Sequence, residues 1–118
     1  MYRFHVNIFA DPKEASFAVA WEEAAAALER LPRMIFEPDG SFVVSGGLEA
    51  ERWQVDGHLF DFAGRLQRYE LHGFCPAGAF DDLLRCVGWP EQRVEFETVR
   101  EGLLLDEAHF RAHARQYS

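Results

Sequence analysis

The chain has 118 residues, 48% hydrophobic and 27% charged, which suits one globular domain over residues 1–118 and excludes a disordered tail. Twenty acidic residues against twelve basic leave a net charge of −8 with no basic stripe, so nucleic acid and anionic membrane surfaces, which call for clustered Lys and Arg, are not expected partners. No run of about 18 apolar residues occurs and residues 1–7 alternate polar with apolar, so neither a spanning helix nor a secretory leader is expected and the location reads as cytoplasmic.

Tyr2, Phe4, Val6 and Ile8 alternate with Arg3, His5, Asn7 and Phe9, the period of a half-buried strand. Asp11-Pro12 then marks a helix start, and Phe17, Trp21, Leu28 and Leu31 at helical spacing predict a helix over residues 14–31, closed by Pro32. Residues 33–37 and 41–45 read as a hairpin, because Pro38 presets φ and Gly40 accepts a positive φ in the turn between them. A flexible acidic connection over 46–51 leads to a second hairpin, residues 52–60 and 65–73. Within it Gly57 marks a bulge or a close backbone approach. After Pro76 a helix is predicted from Phe80, Leu83, Leu84 and Val87, with Gly88 and Trp89-Pro90 as its stop. Residues 93–99 alternate as a strand, 103–105 form a short apolar run, and Asp106 caps a last helix anchored by Phe110. The expected core joins Phe4, Val6, Phe17, Trp21, Leu28 and Leu31 to Ile35, Val43, Trp53, Tyr69 and Leu71, and to Phe80, Leu83, Leu84, Val87 and Phe96.

Most connections between strands are too short for crossovers. The fold class is therefore α+β: a two-layer sandwich with a mainly antiparallel sheet of about five to seven strands and helices packed on one face. Strand order is left open, including whether the first strand–helix–strand unit makes a parallel pair.

The same period places Arg3, His5, Asn7, Arg52, Gln54, Asp56, His58, Arg68, Glu70 and His72 on the helix-free face. His5, His58, His72, Asp56 and Glu70 form the candidate ligand or metal set, because imidazole and carboxylate bind divalent ions and tune one another as acid and base. Whether they converge depends on strand order. A solvated polar face is the ordinary alternative for an antiparallel sheet. His109 and His113 share one side of the last helix, but no catalytic Glu follows His109, and solvation is the expected role.

Cys75 and Cys86 are eleven residues apart along one helix, about 16 Å and out of disulfide reach. Cys75 stands at a helix start with His72 three residues before it, yet no nucleophile signature surrounds the pair, so a buried inert thiol is expected. Dinucleotide, phosphate-loop, zinc-ribbon and nucleophile-elbow motifs are all absent from the sequence. No catalytic residue is assigned and no cofactor is implied; whether the chain is an enzyme stays open, with the balance against it.

Phe9, Phe62, Phe74 and Trp89 lie at strand ends or loops outside the periodic core and form the candidate interaction surface. The leading expectation is accordingly a non-enzymatic protein-interaction or regulatory module, with a protein partner or a second copy in a homodimer. The alternative is a small-ligand or divalent-metal site, catalytic or not, on the open sheet face. A third reading is an acidic inhibitor or immunity-type protein that covers a basic site.

Overall fold

In the computed structural model, which describes residues 1–116, the strand period carries Tyr2–Ala10 into β1. The chain continues through α1 (Trp21–Glu29), β2 (Met34–Phe36), β3 (Ser41–Gly46), β4 (Trp53–Phe62) and β5 (Arg65–Cys75). It closes with α2 (Ala77–Arg85), β6 (Val94–Thr98), β7 (Leu104–Leu105) and α3 (Glu107–Gln116). The seven strands form one antiparallel sheet in the order β2-β3-β4-β5-β1-β6-β7. With the three helices this is an α+β sandwich. The first strand–helix–strand unit makes no parallel pair, because β3, β4 and β5 lie between β1 and β2.

Turn chemistry sets the hairpins. Gly40 sits at φ 96 and its amide donates to the Glu37 carbonyl, closing the β2–β3 turn. The β4–β5 turn is the two-residue Ala63-Gly64, both at positive φ, which matches the right-handed twist of the flanking strands. Gly57 introduces no bulge: it pairs with Phe42 on one side and Leu71 on the other, and the irregularity falls between Phe60 and Asp61. Its role is close approach, since a Cβ built there would lie 2.1 Å from the Phe42 ring.

Helix α1 starts at Trp21, well after the expected residue 14. Tertiary bonds hold the preceding segment out of helical form. The buried Gln92 carboxamide accepts from the Ala18 amide at 2.8 Å and donates to the Glu14 carboxylate, fastening this loop to the segment before β6. Phe17 still reaches the core, from the loop and not from a helix.

Ile35 and Val43, expected inside, are 65% and 36% exposed, while Phe42 and Val44 are buried. Met34-Ile35-Phe36 and Phe42-Val43-Val44 are apolar on both faces, so alternation alone does not choose which face is inward; a one-residue slip exchanges the sets.

Under the sheet the core is aromatic. Phe80 of α2 meets Phe4 and Tyr2 edge-on and stacks on Phe110, which itself stacks on Phe96 at 4.4 Å between centroids. The buried Tyr69 hydroxyl donates to the Leu83 carbonyl at 3.0 Å and ties the sheet to α2; burial raises its pKa well above the ordinary phenol value. Asp106 caps α3 by accepting from the His109 amide, and that bond together with the His109 side chain holds its carboxyl below the usual range. Arg111, with a side chain only 14% exposed, joins α3 to α2 and β1 through Asp81 at 2.8 Å, Glu107 at 3.0 Å and the Tyr2 hydroxyl at 3.1 Å. Burial works against its charge, but the hydrogen bonds from Tyr2, Asp81 and Glu107 outweigh it and hold the guanidinium ionised.

Candidate functional site on the open sheet face

All three helices contribute buried side chains to the single core, which leaves the other face of the sheet open, largely polar on β1, β4 and β5 and apolar at Ile35, Val43 and Leu104. Register builds the face in rows. One row runs Ile35, Val43, Asp56, His72, His5; the next runs Ser41, His58, Glu70, Asn7, Glu97, Leu104. Paired residues project on the same side, so chain positions 65 or more residues apart become neighbours.

At the centre His5 Nε2 lies 2.8 Å from Glu70 Oε2, and the His5 and His72 rings stack at 4.0 Å with 10° between planes. Asn7 Nδ2 donates to Glu97 at 3.0 Å and the Arg68 guanidinium donates to Asn7 Oδ1 at 2.9 Å, while lying 3.7 Å over the Phe60 ring. Gln54 Nε2 donates to Asp56 Oδ1 at 3.1 Å. Thus the structure brings His5, Glu70 and His72 together. Asp56 is the register neighbour of His72, and His58 that of Glu70, but the His58 ring stacks on Phe60 instead.

The structure does not gather the five residues as a set of metal ligands. Among the described residues no group of three or more His, Cys, Asp or Glu is placed to hold a metal ion. The geometry explains it: imidazole lone pairs lie in the ring plane, and two parallel stacked rings direct them along separate planes, not to a point about 2.0–2.1 Å from both. On α3, His109 Nδ1 turns to Asp106 at 2.7 Å and His113 Nε2 lies 3.6 Å from Glu101, so these two imidazoles also have separate carboxylates.

Both thiols are inert by position. Cys75 projects to the buried side of β5 and His72, an odd number of residues away, to the open side, so the two do not meet. Burial pushes the Cys75 thiol up to about 12 and the Cys86 thiol up to about 11. At pH 8 that leaves about one thiolate in a thousand or fewer at either site. Native protein should therefore resist iodoacetamide at pH 8 and take up two adducts only when unfolded, as read by intact mass; alkylation of the folded chain at the rate of a free thiol would refute this.

The four loop aromatics do not make one surface. Phe62 is 72% exposed and borders a groove of ≈ 470 Å³ with Phe9. Phe74 lies on the open face one residue before the end of β5, beneath the Arg3 guanidinium, 4.7 Å away. Trp89 is on the helix layer, packed against the core, its Nε1 donating to Glu107 at 2.7 Å. The strand breaks that made these residues look alike in sequence put them at three separate places.

Two cavities flank His72. One, of ≈ 790 Å³, is bordered by Arg33, Arg52, Gln54, Asp56, His72 and Phe74; the other, of ≈ 530 Å³, by Arg3, His5, His72, Phe74, Glu101 and His113. Both fall in the range of small-molecule sites. The wall of the larger one contains a feature not expected from sequence. Trp53 closes over Gly46, where a Cβ would stand 2.4 Å from the indole. Arg33 reaches across at positive φ and its guanidinium donates to the Gly47 carbonyl at 3.3 Å. The Gly46-Gly47 pair was the available signal, but it reads locally only as flexibility.

Comparison with known proteins finds no matching family model, no similar curated protein and no similar solved structure.

Proposed function

We propose that the chain is a small-molecule-binding domain whose site is the open sheet face around His5, Glu70 and His72. The observation that carries the reading is His72 itself. Its ring stacks on an imidazole oriented by a carboxylate, makes no hydrogen bond among the described residues, and borders both cavities. A polar ligand there meets donors in His72 and Arg52, an acceptor in Asp56 and a ring face in Phe74.

The test is native mass spectrometry of untagged protein, followed by ¹H–¹⁵N NMR titration with a panel of dicarboxylates, amino acids and nucleosides. The expected result is a retained adduct, or a panel member that shifts the Gln54, His72 and Phe74 amides. His72→Ala, on the solvent side of β5, should then weaken binding roughly tenfold through loss of a hydrogen bond. A bare mass with no groove shift from any panel member, or binding indifferent to His72→Ala, overturns the reading.

An interaction role also keeps one observation in its favour. Large apolar side chains lie exposed at both margins of the open face, Ile35 at 65% and Leu104 at 62%.

A further inference from the structure

We propose that the smaller of the two cavities beside His72 binds the carboxylate or phosphate group of a small organic anion, held between Arg3 and Arg100. The inference rests on the ligand reading above and names the chemistry that this face takes.

The cavity occupies a corner missing from the sheet. β6 pairs with β1 only from Val6 onward, where Val6 meets Thr98, so residues 2–5 have β5 on one side and no strand on the other. The last link across is the Val99 amide, which donates to the His5 carbonyl at 2.9 Å. The turn between β6 and β7 borders this opening and carries Arg100 and Glu101 to the cavity wall. It is fixed by the Gly102 amide on the Thr98 carbonyl at 2.8 Å and the Leu103 amide on Thr98 Oγ1 at 3.1 Å. From the other side α3 contributes His113.

Charge at this wall runs against the rest of the chain. Twenty acids and twelve bases make the whole −8, yet the wall holds two arginines, one glutamate and three of the five histidines. In the larger cavity two arginines face Glu49 and Asp56, and one of them, Arg33, already donates to the Gly47 carbonyl. In the smaller one the nearby acids are engaged: Glu101 lies 3.6 Å from His113 Nε2, and Glu70 lies 2.8 Å from His5 Nε2. The guanidinium groups of Arg3 and Arg100 have no hydrogen bond or ion pair among the described residues, and Arg3 is seated 4.7 Å over the Phe74 ring. An arginine fork matches the paired oxygens of a carboxylate or phosphate, and a concave wall of one sign concentrates its field on the ligand. The His72 ring adds a donor at the same wall, and ≈ 530 Å³ leaves room for an organic body beyond the anionic group.

The experiment is ¹H–¹⁵N NMR titration of the full chain with succinate, inorganic phosphate and uncharged succinamide, all at about 0.1 M NaCl. The expected result is saturable shifts of the His5, Val99 and Glu101 amides with succinate or phosphate and none with succinamide; which of the two anions binds tells carboxylate from phosphate. Arg3→Gln and Arg100→Gln, both at exposed residues, should each weaken binding roughly tenfold through loss of a charged hydrogen bond. Arg30→Gln, which removes the same charge at the C-cap of α1, should leave it unchanged. Equal weakening in all three variants, as diffuse attraction would give, overturns the proposal. Succinamide binding at His72 that is indifferent to Arg3→Gln and Arg100→Gln also overturns it, while the ligand reading stands. No saturable shift from any of the three probes overturns the anion proposal, and the ligand reading falls with it only if the wider panel is silent as well.

Discussion

Phe80→Ala is expected to destabilise the protein by about 3–5 kcal/mol, the range for removing a fully buried phenylalanine ring. The ring sits where four elements meet. It contacts Tyr2 at 5.7 Å and Phe4 at 5.0 Å from β1, Phe96 of β6 at 6.3 Å and Phe110 of α3 at 5.3 Å between centroids. Those neighbours are themselves buried and held by strand pairing or by α3, so they have little freedom to collapse into the space. The cavity persists and its cost adds to the lost burial. Loss of 3–5 kcal/mol in a chain of this size lowers Tm by roughly 10–25 °C. Urea unfolding followed by circular dichroism checks it: the midpoint should fall at unchanged slope. Phe62→Ala is the control, since its ring is already in water and the change should stay within about 0.5 kcal/mol. Equal effects from the two substitutions would show that the aromatic cluster is not the stabilising centre.

Gly57→Ala carries the second-largest expected effect, for the opposite reason. Substituting alanine for a strand glycine ordinarily stabilises by about 0.5–1 kcal/mol through the unfolded chain. At this position the new methyl would stand 2.1 Å from the Phe42 ring, far inside contact distance. The ring must leave its place against Tyr69 and Phe36, forfeiting about 1.5–3 kcal/mol of burial, with about 1–3 kcal/mol of strain where it is only partly displaced. The steric loss exceeds the entropic gain, and net destabilisation of about 2–4 kcal/mol is expected. A double-mutant cycle with Phe42→Leu separates this from a general preference for glycine. Shortening the side chain relieves the clash, so the pair should couple by at least about 1 kcal/mol. Additive effects would mean that Phe42 is not what Gly57 accommodates.

These two positions also differ in how visible they are beforehand. Phe80 is marked by helical spacing with Leu83, Leu84 and Val87, a signal contained within a few residues. Gly57 is visible as an anomaly in a strand, but the partner that explains it lies across β3, reached only through register. Residues 14–20 show the reverse problem. Their pattern fits a helix, yet Gln92, more than 70 residues away, takes the Ala18 amide and the Glu14 carboxylate and holds the segment as a loop. Local propensity is a weak preference that a buried hydrogen-bonded side chain outweighs. For the site, period two places His5, His72 and Glu70 on the open face. It does not place them beside each other.

By itself the sequence determined what depends on near neighbours: the antiparallel α+β class, the positions of the two hairpins and of α2, the Asp106 cap of α3, and which polar residues of β1, β4 and β5 face away from the helices. Turn geometry, capping and side-chain alternation are set by a few consecutive residues, so they can be read from them. Tertiary structure alone decided that β1 enters the sheet between β5 and β6, that Phe42 and not Val43 faces inward, and that His5 stacks on His72 beside Glu70. Each of these depends on pairing between distant strands, where the burial of the whole core selects one register over its neighbours.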